Sequence, residues 1–222
     1  MSKLKALILG FLILVPLFVF IFIYTFGEHH FTLKSYFPVV DESGQVVTEA
    51  NGDTLFRKVP AFEFTDQQGA VFRQDALKDK LYVVNFFFTS CPGLCRKMST
   101  QLVRVHEVYQ NNPTVELLSI SVKPEEDTPE VLNAYAQSYK ADTSQWHFLT
   151  GNKEKIYSLA QQGFDLGTIE TGGADGILHS EKLMLVDRNH VVRGIYDGTD
   201  VKDVDRLILE IRVLLDEYSK AK

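Results

Sequence analysis

Two cysteines are the only thiols in this chain, and both fall in one pentapeptide, Cys91-Pro92-Gly93-Leu94-Cys95. The apolar run before them, Leu81 to Phe88 (LYVVNFFF), reads as a strand buried on both faces. After them Met98, Leu102, Val105, Val108 and Tyr109 recur at helical spacing as far as Asn111-Asn112-Pro113. The pair therefore belongs to a strand-to-helix turn. Helix amides and the macrodipole favour a thiolate on Cys91 there. Pro92 suits a first helical turn, and residues four apart share a helix face, which directs both sulfurs to one place. Helical Cα atoms so spaced lie about 6 Å apart, within disulfide range. Two chemistries follow: a dithiol redox centre, with one residue more than C-x-x-C, or a soft-metal site, since paired thiolates select ions such as Cu(I). The bland alternative, two unrelated buried cysteines, is weakened by their clustering.

A metal held by two sulfurs needs at least one more ligand. Of the six histidines, His29 and His30 follow the apolar N-terminal run, His106 lies on a helix, His147 on a strand and His190 in a hairpin turn. His179 is different, because it follows the Gly-rich stretch Thr171-Gly172-Gly173-Ala174-Asp175-Gly176 and precedes the strand Lys182 to Val186. Closed structural zinc sites use four protein ligands, more than converge here. Asp127 reads as the organiser of a turn before a helix capped by Thr128, and Trp146 and Phe86-Phe87-Phe88 read as core.

The elements that must position these residues form a regular series from Pro60 onward. Phe62 to Thr65 and Val71-Phe72 flank the turn Asp66-Gln67-Gln68-Gly69 as a hairpin. Val115 to Val122 is a second buried strand, Pro129 to Tyr139 a helix, Trp146 to Leu149 a short strand and Glu154 to Gln162 a helix. Lys182 to Val186 and Val191 to Tyr196 form a late hairpin, and Val201 to Tyr218 is a closing amphipathic helix. Buried strands separated by helices imply a parallel core with antiparallel edges. This is an α/β, thioredoxin-like (peroxiredoxin-type) arrangement. In such folds the loop before the late hairpin faces the active-site helix and usually carries a cis-proline. Here no proline follows Pro129, and His179 occupies that neighbourhood.

The chain has 222 residues, 45% hydrophobic and 23% charged, with a net charge of −6. Those values suit a globular domain and exclude a disordered or disulfide-scaffolded chain; the acidic balance argues against nucleic acid as a partner. Ala6 to Phe26 is uncharged and long enough to span a bilayer of about 30 Å as a helix. Pro16 is tolerated in such helices. Lys3 and Lys5 precede the run, which places residues 1–5 in the cytoplasm, a transmembrane helix at 6–26, a tether at 27–59 and the domain at 60–222 outside. The run exceeds a signal-peptide core and lacks an A-x-A site, so an uncleaved anchor is expected. The expected location is a bacterial cytoplasmic membrane, single-pass, with the C-terminal domain on the periplasmic side. Beyond residue 26 the charge is −8, because the first 26 residues hold two of the 23 basic residues and none of the 29 acids.

The sequence resembles the Sco/SenC family of copper chaperones and thiol proteins for cytochrome c oxidase assembly. The resemblance rests on Phe88-Thr89-Ser90-Cys91-Pro92-Gly93-Leu94-Cys95, on Ser119 to Glu130 (SISVKPEEDTPE), on Leu149-Thr150-Gly151 and on His179-Ser180 before an apolar strand. It implies one copper ion, Cu(I) and also Cu(II), held by Cys91, Cys95 and His179. It further implies delivery of copper to, or reduction of the cysteines of, the Cu(A) site in cytochrome c oxidase subunit II or a similar exported copper protein. The alternative it implies is an extracytoplasmic thiol–disulfide oxidoreductase using Cys91 and Cys95. Gly93 and Leu178 stand where many members carry Asp, and Asp175 is the candidate replacement acid. Arg96 and Lys97 replace the more usual Pro/Glu-type continuation; their charge favours thiolates and opposes a cation. Peroxiredoxins place Thr or Ser three residues before the reactive Cys. Phe88 and Pro92 hold those positions here, which argues against a peroxidase.

Overall fold

The computed structural model describes residues 3–26, 32–167 and 180–220, the first stretch partly by its backbone alone. His29, His30, Asp175, Leu178 and His179 lie outside the described residues. The chain divides into two compact units, Met1–Thr32 and Leu33–Lys222. The first contains one 24-residue helix, α1 (Lys3–Phe26), with Pro16 inside it. Counted over the described residues, no helix is long and apolar enough to cross a membrane.

The second unit is built on a seven-stranded sheet: β1 (Glu63–Asp66), β2 (Val71–Arg73), β3 (Leu81–Phe87), β4 (Val115–Ser121), β5 (Trp146–Thr150), β6 (Lys182–Val186) and β7 (Val192–Asp197), in the spatial order β2-β1-β5-β4-β3-β6-β7. β3, β4 and β5 are parallel; the other pairings are antiparallel. All seven residues of β3 and all seven of β4 are buried, as strands covered on both faces of a parallel sheet must be, and the polar ones among them, Asn85, Glu116, Ser119 and Ser121, are hydrogen-bonded there.

The helices are α2 (Leu94–Tyr109), α3 (Pro129–Ser138), α4 (Lys153–Phe164) and α5 (Val201–Lys220). Adjacent strand residues point to opposite faces, and Phe86 and Phe87 show which helix covers which. Phe86 meets Phe164 of α4, with ring centroids 5.6 Å apart. Phe87 meets Tyr135 of α3 at 5.2 Å. α2 shares the α3 face through a 2.9 Å hydrogen bond between the Ser99 and Tyr135 hydroxyls. It also meets α5, where the Tyr109 hydroxyl donates to the Ile208 carbonyl.

Two expectations about α2 are corrected. Its buried stripe is Cys95, Met98, Ser99, Leu102, Val105, His106 and Tyr109, whereas Val108 is 50% exposed. A 3.6-residue period that carries Val105 and Tyr109 inward turns Val108 outward. The helix also starts at Leu94, so Cys91 and Pro92 precede it. Proline disfavours helical backbone at the residue before it, which keeps Cys91 in the turn.

Of the stretch expected as a tether, 27–59, residues 33–59 fold as a narrow ribbon held by isolated bridges such as Pro38↔Phe56 and Thr48↔Thr54. Its tips are tight turns at Gly44 (φ 80°) and Gly52 (φ 89°), positive values that suit glycine. Its ends run beside β7, where Tyr36 N–H donates to the Val192 carbonyl and Arg193 donates to the carbonyls of Leu33 and Lys34.

Candidate thiol and metal centre

Because β3 and β4 are parallel, Phe87 pairs with Ser121, and both strands deliver their following loops to the same end of the sheet. β6 runs the other way beside β3 (Val84↔Met184), so its first residues reach that end too. The Phe88–Cys91 turn, the 122–128 loop and buried Ser180 therefore gather where ligands bind in open α/β sheets, at the carboxyl ends of strands.

The turn is short and hydrogen-bonded. Cys91 N–H donates to the Phe88 carbonyl at 3.3 Å, and Gly93 forms the N-cap of α2 without any side chain to cap it. The Cys95 amide, one of the orphan donors of the helix start, points at the Cys91 sulfur at 3.4 Å. Both thiols are unbridged, and each is 4% exposed.

Their acidities diverge. Burial opposes ionisation of Cys91, but it is outweighed by hydrogen bonds from the Cys95 amide, the Cys95 thiol and the amides of Gly93 and Leu94. The result lies below the ordinary thiol value. Cys95 is pushed up to about 12, first by burial and then by the neighbouring Cys91 and Asp127. Cys91 is thus the more acidic thiol of the pair and Cys95 the less acidic.

Asp127 is fully buried. Its carboxylate accepts from the Thr89 hydroxyl and amide, at 2.5 and 3.2 Å, and from the Ser121 hydroxyl at 2.5 Å. Next to it, Ser90 donates to Glu126 at 3.1 Å. Asp127 does organise the turn before α3, as expected: its amide bonds to Lys123 O and Thr128 caps the helix at Val131 N. Its reach back to the cysteine turn was not legible in the sequence; only the pairing of β3 with β4 creates it. Tyr135, also unanticipated, reaches the Cys95 neighbourhood from α3, and burial above all raises its phenol.

The structure brings Cys91 and Cys95 together. Among the described residues, no group of three or more His, Cys, Asp or Glu side chains converges as a metal cage. Two sulfur donors, one favoured as thiolate, suit a soft, low-coordinate ion. His106 is buried within α2, its ring 5.9 Å from Trp146. His147 bonds to Glu116 at 3.1 Å, and His190 to the Tyr82 hydroxyl at 3.1 Å. These three are structural residues.

Comparison with known proteins agrees with this geometry. The chain is 28% identical to the SCO1 protein homolog of Bacillus subtilis over 162 residues, covering 72% of this chain and 84% of that protein. It is 30% identical over 145 residues to a Stutzerimonas stutzeri protein named as a proposed copper binder, covering 62% and 68%. Among solved structures it resembles a SCO1/SenC family lipoprotein from Bacillus anthracis at 29% identity, with a TM-score of 0.63, covering 72% of this chain and 95% of that one. It also resembles BsSco, described as a Sco-family cytochrome c oxidase assembly protein with a disulfide switch, at 26% identity and a TM-score of 0.61, covering 70% and 92%. The SCO1/SenC family model matches residues 50–216. The α/β sheet, the thiol turn at its carboxyl end and this match over most of the chain place it in one family: the chain belongs to SCO1/SenC.

Proposed function

We propose that the chain is a membrane-anchored copper metallochaperone that assists assembly of the Cu(A) site of cytochrome c oxidase, carrying copper on Cys91, Cys95 and His179. The observation that carries this reading is the pair of adjacent buried sulfurs, one held by a helix-start amide at 3.4 Å. Thiolate pairs select Cu(I) and an imidazole completes a trigonal set. Ser180 lies buried at the same end of the sheet as the thiol turn, and His179 is joined directly to it. The names of the Stutzerimonas stutzeri relative and of BsSco, one for copper and one for oxidase assembly, support the same reading. Subunit II, or a similar exported copper protein, is the proposed recipient.

The anchor reading rests on the continuous α1 backbone, the uncharged sequence Ala6 to Phe26 and exposed side chains such as Phe11, Phe18 and Phe20, at 71, 69 and 68%. A helix with apolar side chains of this kind on its surface suits an apolar solvent. The lysines before it orient residues 27–222 outward from a bacterial cytoplasmic membrane.

Anaerobic Cu(I) competition with the reduced full chain tests the ligand set. One copper per chain is expected, lost in Cys91→Ala and Cys95→Ala and weakened in His179→Ala; full retention in all three variants ends the reading. Resistance of the full chain to alkaline extraction from membranes tests the anchor.

The split acidity of the thiols favours one second reading, a thiol–disulfide oxidoreductase with Cys91 as nucleophile and Cys95 as resolving thiol. Reduction of a partner disulfide that needs both cysteines, and persists in His179→Ala without copper, distinguishes it.

A further inference from the structure

The first turn of α2 is charged against its own dipole. A helix N-terminus carries about half a positive charge, so cations there are unfavourable, each by about 0.3–1 kcal/mol at low salt. α2 nevertheless has no acid in its first turn, and Arg96 and Lys97 are its third and fourth residues. Both are exposed, and no ion pair to either is found among the described residues. The neighbouring loop does not neutralise them, because its acids are already engaged. Glu126 is paired with Lys123 at 3.3 Å and with Ser90 at 3.1 Å, and Glu125 with Lys153 at 3.3 Å. The described rim of the thiol turn therefore keeps two uncompensated positive charges, on a chain that is −8 beyond residue 26.

Among the described residues, no salt bridge offsets the placement of either cation. Beside them the surface is open: Pro92 and Gly93 are exposed, and a side chain added at Gly93 would meet nothing within 4 Å. We propose that the exposed edge formed by Pro92, Gly93, Arg96 and Lys97 is a docking surface for an acidic face of the partner protein that meets Cys91. Complementary charge supplies encounter rate and orientation. It also counters the repulsion that an acidic partner would meet from the rest of this acidic domain. Anionic lipid is the less favoured occupant, because surface adsorption needs clusters of about 4–8 cations and this patch has two.

The surface rests on the proposed role of Cys91 as the contact thiol, and its test needs no copper. The reduced full chain in uncharged detergent is mixed with peptides that each carry one cysteine as a 2-thiopyridyl disulfide, flanked by Asp/Glu, by Ser or by Lys. The Cys91 thiolate attacks the peptide sulfur, a protein–peptide disulfide forms, and pyridine-2-thione leaves and is read by absorbance. At low salt the acidic peptide is expected to react about tenfold faster than the basic one, within the range of electrostatic steering. At high salt the difference should shrink to about twofold or less. Arg96→Gln with Lys97→Gln should flatten the order, and Arg96→Glu with Lys97→Glu should reverse it. The Ser-flanked peptide measures any change in the thiolate's own reactivity, against which the other rates are normalised.

Equal rates for the three peptides, an order that survives charge reversal, or no release from any peptide despite titratable thiols after unfolding would each overturn the surface. Loss of reactivity only on vesicles containing phosphatidylglycerol, with no peptide order, would assign the patch to lipid and overturn it too. Failure of the copper reading alone would leave the peptide order intact.

Discussion

Thr89 and Asp127 are 38 positions apart in sequence, yet the Thr89 hydroxyl donates to the Asp127 carboxylate at 2.5 Å. That bond, with those from Thr89 N–H and the Ser121 hydroxyl, fastens the loop leaving β4 to the turn that carries Cys91. The thiol turn is held from outside its own segment.

Removing that fastening has a defined cost. Asp127→Ala strands donors on half-buried Thr89 and fully buried Ser121, worth about 1–3 kcal/mol each where water cannot reach them. We expect a loss of about 3 kcal/mol or more in urea unfolding. Thr89→Val should cost less, and the double-mutant cycle should show a coupling of about 0.5–3 kcal/mol. A coupling near zero would mean that the carboxylate does not hold the turn.

The two thiols should make opposite contributions to the pH dependence of the reduced, metal-free protein. Cys95 holds its proton more tightly when folded, so its contribution is present below its ordinary value of 9.0 and lost as pH rises toward about 12. Cys91 has a lowered folded value, so its contribution is present above 9.0 and declines as pH falls through that lowered value. Unfolding curves of Cys91→Ser and Cys95→Ser across this range should lose opposite slopes. At pH 8, mass spectrometry after brief alkylation should find Cys91 labelled first.

Gly93→Asp introduces the acid that the family resemblance leads one to expect at this position. The site is sterically open, and a carboxylate at an N-cap is at least as good as glycine, so stability should change by no more than a few tenths of a kcal/mol, upward. Its charge should raise the Cys91 thiol and slow alkylation at neutral pH. It should also tighten Cu(I) binding by up to about tenfold in competition titration, the lower end of effects from groups beside metal ligands.

Arg193 is the fastening of the 33–59 ribbon. It pairs with Asp187 at 3.0 Å, both side chains being under 10% exposed, and donates to the carbonyls of Leu33 and Lys34. Arg193→Ala leaves the buried Asp187 carboxylate without its countercharge, held by the amides of Asn189 and Val191, a loss expected at about 3 kcal/mol. Limited proteolysis should then cut within residues 33–59 before the rest of the domain. Cleavage elsewhere first would show that the ribbon is held by other contacts.

The strands and helices from β1 to α5 were legible because their apolar periods are strong; Leu81 to Phe87 and Val115 to Ser121 are buried without a break. The caps were legible where a side chain does the capping, as at Thr128. The start of α2 was not, because its cap is a glycine with no chemistry to read, and Pro92 fits both a helix start and the turn before one. The ribbon read as a tether because its contacts are made to residues some 160 positions away, Arg193 among them.

The sequence by itself determined the chemistry available: two thiols in one pentapeptide, an uncharged segment before the domain, and the alternation of strand and helix that puts the thiols at a sheet's carboxyl end. These are properties of local spacing, which the chain carries wherever it goes. Tertiary structure alone decided that Asp127 grips the turn from its buried side, that the Cys95 amide faces the Cys91 sulfur, and that the two thiols differ in acidity. Each depends on which strand pairs with which and on how much water is excluded between them, and neither is written in residue order.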